Sequence, residues 1–201
     1  MKKMKPNNFR TRGKSGLKVL MLASVLSAVG CVSNYINTGI GAIFPGRAKE
    51  KGLPNLTVGE LGYTARFKKS SWGSGMLYQY GIGYFSDDGN PSANEPAYSS
   101  SLKTSIATVY GEYVFGNDFK KLCLRAGFKR GVQDLITSVE DPINKTFRES
   151  DTVNGGSIAV SGEFWSKEGI AGTVQVEQSF YSSENITDTT TLSAGVTIIL
   201  D

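Results

Sequence analysis

Apolar and polar side chains alternate with a period of two along most of this 201-residue chain. In the segment GMLYQYGIGYF, Met76, Tyr78, Tyr80, Ile82 and Tyr84 fall on one face, and mostly small or polar residues fall between them. Successive side chains of a β-strand point to opposite faces, so this spacing is typical of a strand with two unlike faces. After residue 35 no stretch has the sustained i, i+3, i+4 spacing of an amphipathic helix. The body of the chain is therefore predicted to be all-β.

Seven segments show this alternation clearly. They are LGYTARFKK, GMLYQYGIGYF, SIATVYGEYVF, KLCLRAGFK, SIAVSGEFW, GTVQVEQSFY and TTLSAGVTIIL. An eighth strand is predicted over residues 34–44, where NYINTGIGAIF alternates in the same way. A short N-terminal helix or a loose tether is the alternative for this last segment.

Long and short connections alternate between the predicted strands. The short ones, SSWGSG, GNDF and SKEG, contain the Gly, Ser, Asn and Asp residues that tight turns favour. The long ones are polar and comprise PGRAKEKGLPN, residues 86–101 and residues 134–156. This asymmetry is typical of an up-and-down antiparallel β-barrel whose two rims differ, as in transmembrane barrels. We therefore predict about eight strands embedded in a membrane, with external loops 86–101 and 134–156 available to a protein partner.

The first thirty residues have the layout of a secretory signal peptide. A basic segment without acidic residues precedes an apolar run at 17–29. A spanning helix needs about 20 apolar residues, so this run is too short for a permanent anchor. We predict that residues 1–30 are removed and that residues 31–201 form a single β-barrel domain.

Two cleavage reactions fit the end of this segment. Ala28-Val29-Gly30 has the small residues that an ordinary signal peptidase prefers. With Cys31 behind them, the same residues resemble a bacterial lipobox. This resemblance implies that Cys31 is acylated, with palmitate as an expected label. Val32 is not the Asp that retains enteric lipoproteins at the inner membrane, so the resemblance implies the outer membrane.

The positive charge of the chain belongs largely to the predicted leader. The whole chain has 22 Lys and Arg against 18 Asp and Glu, and seven of the basic residues precede residue 31. The mature chain therefore has a net charge of −3, so no nucleic-acid partner is expected. A lipidated Cys31 would leave Cys123 without a disulfide partner, and no spacing of metal ligands is present. No cofactor and no metal are expected.

Charged residues are predicted to meet inside the barrel if the apolar faces point outward. The inward set is Glu60, Glu112, Glu163 and Glu177 with Arg66, Lys68, Arg125 and Lys129. Eight strands leave room for side chains and not for a water channel. We expect a charge-paired plug, since unpaired buried charge is costly. A small gated pore or a carboxylate site is the alternative.

No enzymatic function is expected. The chain contains no histidine, the commonest general base, and no motif supports a Ser-Lys or paired-carboxylate mechanism.

The pattern of strands, turns and loops over residues 35–201 resembles the small eight-stranded bacterial outer-membrane barrels, the group of OmpX, Ail and the membrane domain of OmpA. The resemblance implies a lipid bilayer as the partner of the barrel wall and a structural, adhesion or interaction role through the external loops. The alternative is a soluble periplasmic β-barrel or β-sandwich lipoprotein. There the apolar faces would point inward to bind an apolar ligand, or the domain would be part of an envelope assembly.

Overall fold

The computed structural model describes residues 32–45, 55–87, 97–139, 145–166, 168–182 and 188–200. The eight strands are β1 (Val32–Pro45), β2 (Leu56–Phe67), β3 (Trp72–Asp87), β4 (Tyr98–Gly116), β5 (Lys120–Val139), β6 (Lys145–Trp165), β7 (Ile170–Tyr181) and β8 (Thr189–Leu200). The strand predicted over residues 34–44 is confirmed within β1. The predicted leader and Cys31 lie outside the described residues. The described part of the chain includes no helix with the length and apolar character needed to cross a membrane.

The strands form one closed antiparallel barrel in chain order. Each strand pairs with the next, and β8 closes the barrel on β1 from Asn34↔Leu200 to Pro45↔Thr189. Closure gives each strand a paired neighbour on both sides, apart from the ends of β3 and β6 that extend past β2 and β7. The predicted fold class, an all-β up-and-down barrel of eight strands, is confirmed.

The two rims of the barrel differ. Turns after β2, β4 and β6 define the short-turn rim, where β1 begins and β8 ends. Asn117 holds the middle turn, because its side-chain Oδ1 accepts hydrogen bonds from the backbone N–H groups of Phe119 and Lys120 at 3.0 and 2.9 Å. The opposite end, where the longer connections lie, is the long-loop rim.

Strands β3 to β6 extend beyond the other strands at the long-loop rim. They contain 16 to 21 residues, whereas β2, β7 and β8 contain 12 each. Asp87, Tyr98, Val139 and Lys145 pair in register across this four-stranded extension.

The predicted bounds of the loops 86–101 and 134–156 are therefore too wide, since most of residues 134–156 is strand. Hydroxyl pairs bridge the extended strands: Ser100 and Thr137 oxygens lie 3.0 Å apart, and Ser138 and Thr146 oxygens 3.3 Å apart. Hydroxyl and charged side chains occur on both faces of this extension, and its apolar side chains, such as Ile136 and Phe147, lie on opposite faces. Hydrophobic alternation, on which the prediction depended, is therefore lost although strand geometry continues.

Apolar clusters close the lumen above and below its charged middle. Tyr35, Trp165 and Ala171 pack together near the short-turn rim. Near the long-loop rim, the cluster comprises Ile43, Leu56, Val58 and Leu102. The lumen is therefore layered, with polar groups held between two apolar ends.

Candidate functional site in the barrel lumen

Arg66 of β2 is the centre of the lower ion cluster. Its Nε donates to Glu112 Oε1 at 2.6 Å, and its Nη1 donates to Glu163 Oε2 at 2.8 Å. Its Nη2 also donates to Glu163 Oε1, and to the sulfur of buried Cys123 at 3.4 Å. These four side chains come together in the lumen because each occupies an inward-facing position of its strand. One guanidinium thus bridges two carboxylates.

Arg125 of β5 is the second cation of this cluster. Its Nε donates to Glu112 Oε2 at 3.0 Å and its Nη1 donates to Gln175 at 2.6 Å. Its guanidinium carbon also lies 5.0 Å from the centre of the Tyr110 ring. Hydrogen bonds from guanidinium groups satisfy both oxygens of Glu112, as a fully buried carboxylate requires.

Lys129 organises a second cluster nearer the long-loop rim. Its Nζ lies 2.9 Å from Glu177 Oε2 and donates to Gln79 Oε1 at 2.9 Å. The amide nitrogen of Gln79 donates to Glu60 at 2.8 Å and to Glu177 at 3.2 Å. Gln79 is 1% exposed and connects all three charged groups.

The expectation that Lys68 points into the lumen is wrong. β2 ends at Phe67, and Lys68 lies exposed in the turn that follows. Side chains alternate between inward and outward only within a strand, so the Lys68 side chain in the turn does not point inward as that of Arg66 does. The seven other predicted residues face the lumen, which gives three cations for four carboxylates. Glu60 bonds to the Gln79 amide in place of a cation.

Neutral polar residues of the lumen were missed by the sequence prediction, which considered charges only. Gln79 and Gln175 belong to the two clusters described above. A third hydrogen-bonded group runs from Thr197 to Asn37 (2.8 Å), to Thr64 (2.7 Å) and to the Tyr110 hydroxyl (2.6 Å). These residues could have been found from the sequence, because each lies at an inward-facing position of a strand that was already predicted.

The lumen offers little space for a ligand. A cavity of about 30 Å³ is lined by Glu60, Arg125 and Ser161 among others. Small-molecule pockets are about 300–1,000 Å³, whereas a single water fits a space of this size. Among the described residues no cluster of His, Cys, Asp and Glu could hold a metal ion. The cavity-lining carboxylate of Glu60 is bonded to Gln79, and the geometry is that of a packed polar core.

The exterior of the barrel is apolar, in contrast to the polar lumen. Large apolar side chains remain exposed around the whole wall. Examples on five strands are Ile40 (73%), Leu61 (60%), Tyr84 (74%), Phe128 (59%) and Val174 (56%). Water-soluble proteins rarely expose contiguous apolar surface of more than a few hundred Å².

The closed eight-stranded barrel with a charged lumen and an apolar exterior defines the class: the chain has the fold of the small outer-membrane β-barrels. A major outer membrane protein from Thermus thermophilus is similar to it in structure, with a TM-score of 0.59 at 12% identity, over 83% of this chain and 99% of that one. Ail, the attachment invasion locus protein of Yersinia pestis, superposes with a TM-score of 0.54 at 13% identity, over 84% of this chain and 97% of that one. No protein-family model matches the chain, and no curated protein matches it in sequence. At these identities the similarity is one of fold.

Proposed function

We propose that this chain is an integral outer-membrane barrel with a non-enzymatic structural or interaction role. The observation that carries the proposal is the inverted polarity of the barrel. Glu112, Glu163 and Lys129 are each 1% exposed in the lumen, whereas large apolar residues cover the outside. In a bilayer every strand of a closed barrel satisfies its backbone groups, and the apolar wall meets hydrocarbon.

The soluble alternative does not fit this polarity. It required apolar faces that point inward and enclose an apolar ligand. Leu61 and Val174 point outward, and the lumen space beside Glu60 is about 30 Å³. A soluble carrier of this fold would therefore expose its apolar face and bury its charges.

A lipid on Cys31 belongs to the proposal. Support comes from the position of β1, which begins at Val32 on the short-turn rim. An acylated Cys31 would therefore sit at the boundary of the barrel wall, where its chains could enter the adjacent leaflet. The short-turn rim would then face the periplasm.

The interaction role is assigned to the four-stranded extension of β3 to β6. Its surface carries hydroxyl and charged side chains together with the exposed ring of Phe147, and residues 145–150 of β6 are all exposed. The register of β6 with β7 runs from Gly155 to Trp165, so the described residues 145–153 of β6 extend past this pairing. Such an extension presents backbone and side-chain groups to a protein partner outside the membrane.

Heat-dependent electrophoretic mobility tests membrane insertion. We expect the chain, refolded into phosphatidylcholine vesicles, to migrate differently before and after boiling, because a closed barrel resists detergent until it is heated. It should also remain with the vesicles after alkaline extraction. Release into detergent-free buffer as a folded protein would contradict the proposal.

Cysteine labelling on intact cells tests the orientation. Thr146→Cys lies on the extension and Lys120→Cys lies at the opposite rim, and both positions are exposed. A membrane-impermeant maleimide should label the first variant on intact cells and the second only after permeabilisation. Cys123 is buried and supplies no background. The reverse labelling pattern would contradict the assignment of the rims.

A further inference from the structure

An outward-facing aromatic cluster marks the short-turn rim. Trp72 of β3 and Tyr113 of β4 pair in register, with ring centroids 4.8 Å apart, and the Phe115 ring lies 4.7 Å from Tyr113. Trp72 is 59% exposed and Phe115 is 46% exposed. Trp and Tyr concentrate where hydrocarbon meets headgroups, since one end of each ring system is apolar and the other polar. The cluster therefore places this rim at headgroup level.

Exposed lysines that pair with no described carboxylate occupy the same rim. Lys68 and Lys69 lie in the turn directly before Trp72, and Lys120 begins β5. All three are exposed, and their ammonium groups make no ion pair with any described residue. The described carboxylates of the turns here are Asp118 and Glu168. Lys121, whose Nζ lies 5.1 Å from the Trp165 ring, adds a further cation. The described residues of the rim thus have a net positive charge.

We propose that this basic aromatic rim, defined as Lys68, Lys69, Trp72, Tyr113, Phe115 and Lys120, binds the headgroups of anionic phospholipids. The inference rests on the proposed membrane insertion. Aromatic rings at the rim hold the barrel at the depth where lipid phosphates lie. Lysine stems lie along apolar surface and carry their ammonium groups up to that level. Anionic lipid should therefore be enriched beside this end of the barrel.

The long-loop rim does not share this charge pattern. There the Arg148 guanidinium lies 3.6 Å from the Asp134 carboxylate. The described charged residues of the extended strands at this rim are four cations and four carboxylates: Lys103, Arg130, Lys145 and Arg148 with Asp87, Asp134, Glu149 and Asp151. Each lysine near an anionic membrane surface favours binding about fivefold. Enrichment is consequently expected at one rim, and salt should weaken it.

Trp72 supplies a local probe for the test. The sequence has two tryptophans, and Trp165 is 8% exposed inside the lumen, so brominated lipid can contact Trp72 alone. The protein is inserted into vesicles of phosphatidylcholine with a minor fraction of phosphatidylglycerol. In one sample the phosphatidylglycerol carries bromine near the carbonyl end of its acyl chains. In the other sample an equal mole fraction of the phosphatidylcholine carries it. A Trp72→Phe variant gives the emission of Trp165 for subtraction.

Brominated phosphatidylglycerol should quench Trp72 several-fold more effectively than the same fraction of brominated phosphatidylcholine. The triple variant Lys68→Gln, Lys69→Gln and Lys120→Gln should reduce this ratio to one. The control variant has the same charge change at the other rim and should keep the quenching ratio of the natural protein. Its substitutions are Lys103→Gln, Arg130→Gln and Lys145→Gln.

A ratio of one in the natural protein, or an equal loss of selectivity in the two triple variants, would overturn the inference while leaving membrane insertion intact. Failure of brominated phosphatidylcholine to quench Trp72 in vesicles of phosphatidylcholine alone would instead contradict the proposed function itself. The two failures are therefore separable by the same fluorescence measurement.

Discussion

Arg66 on β2 binds Glu112 on β4 and Glu163 on β6, so one guanidinium links three strands of which no two are neighbours in the barrel. The Arg66 side chain is 8% exposed and both carboxylates are fully buried. Backbone ladders connect only adjacent strands, whereas these bonds cross the lumen. The cluster therefore fixes the cross-section of the barrel from within.

Replacing Arg66 with Met should destabilise the barrel strongly. The change leaves Glu112 and Glu163 buried with Arg125 as their remaining cation, and breaking a buried pair costs about 3–5 kcal/mol. Urea unfolding in vesicles, followed by the loss of heat-dependent mobility, measures the free energy of unfolding. The vesicles contain phosphatidylcholine alone, so the basic aromatic rim meets no anionic headgroup. Lys68→Met, in the adjacent exposed turn, is then the control and should leave this free energy unchanged. Equal effects of the two changes would show that the cluster does not stabilise the barrel.

The Lys129 and Glu177 pair should show strong coupling in a double-mutant cycle. The two groups lie 2.9 Å apart and are at most 3% exposed. Lys129→Met alone leaves an uncompensated carboxylate, so adding Glu177→Gln should restore part of the lost stability. The coupling free energy expected for contacting residues is about 0.5–3 kcal/mol. Additive losses in the same unfolding assay would contradict the pairing.

Gly75 should not tolerate a methyl group. A Cβ at this position would lie 2.6 Å from the Tyr110 hydroxyl, which bonds to Thr64 in the lumen. Forcing an extra group into a packed interior costs about 1–3 kcal/mol. Gly111→Ala is the matched control, because its Cβ would meet no atom within 4 Å. Thermal unfolding should therefore shift downward for Gly75→Ala alone, and equal midpoints would contradict the packing described.

The sequence predicted which side of the wall each strand residue occupies, because strand geometry fixes a period of two. That period alone predicts that Leu61 and Val174 lie outside and that Glu112 and Lys129 lie inside. Which residues they contact need not be known. The sequence could not predict that Arg66 meets Glu163. Which residues share a level of the lumen depends on the stagger between strands, and hydrophobic alternation does not encode that stagger.

Strand ends were predicted less well than strand faces, for a related physical reason. The end of β2 was missed because Lys68 continues the alternation after the backbone has entered a turn. The continuation of β5 and β6 through 134–139 and 145–156 was missed because polar residues occupy both faces there. Alternation appears only where the two sides of a strand meet unlike surroundings.

An arginine in the apolar belt should impair insertion. Val174 lies near the middle of β7, points outward and is 56% exposed. At the bilayer midplane an outward Arg costs about 2–4 kcal/mol. Val174→Arg should therefore lower the fraction that acquires heat-dependent mobility in vesicles, while Glu168→Arg in the turn before β7 should not. An unimpaired Val174→Arg barrel would indicate that this wall faces water.

Cys31→Ser should abolish acylation and leave the barrel in the membrane. The sequence has two cysteines, and Cys123 is 0% exposed in the lumen, where an acyl transferase cannot reach it. Labelled palmitate should therefore be incorporated into the natural protein and into Cys123→Ser, and be lost in Cys31→Ser. Label retained in Cys31→Ser, or absent from the natural protein, would contradict the lipid anchor. In the proposed membrane barrel the apolar wall is held by hydrocarbon, so Cys31→Ser should still resist alkaline extraction. Release of this variant would show that the lipid alone held the protein to the membrane.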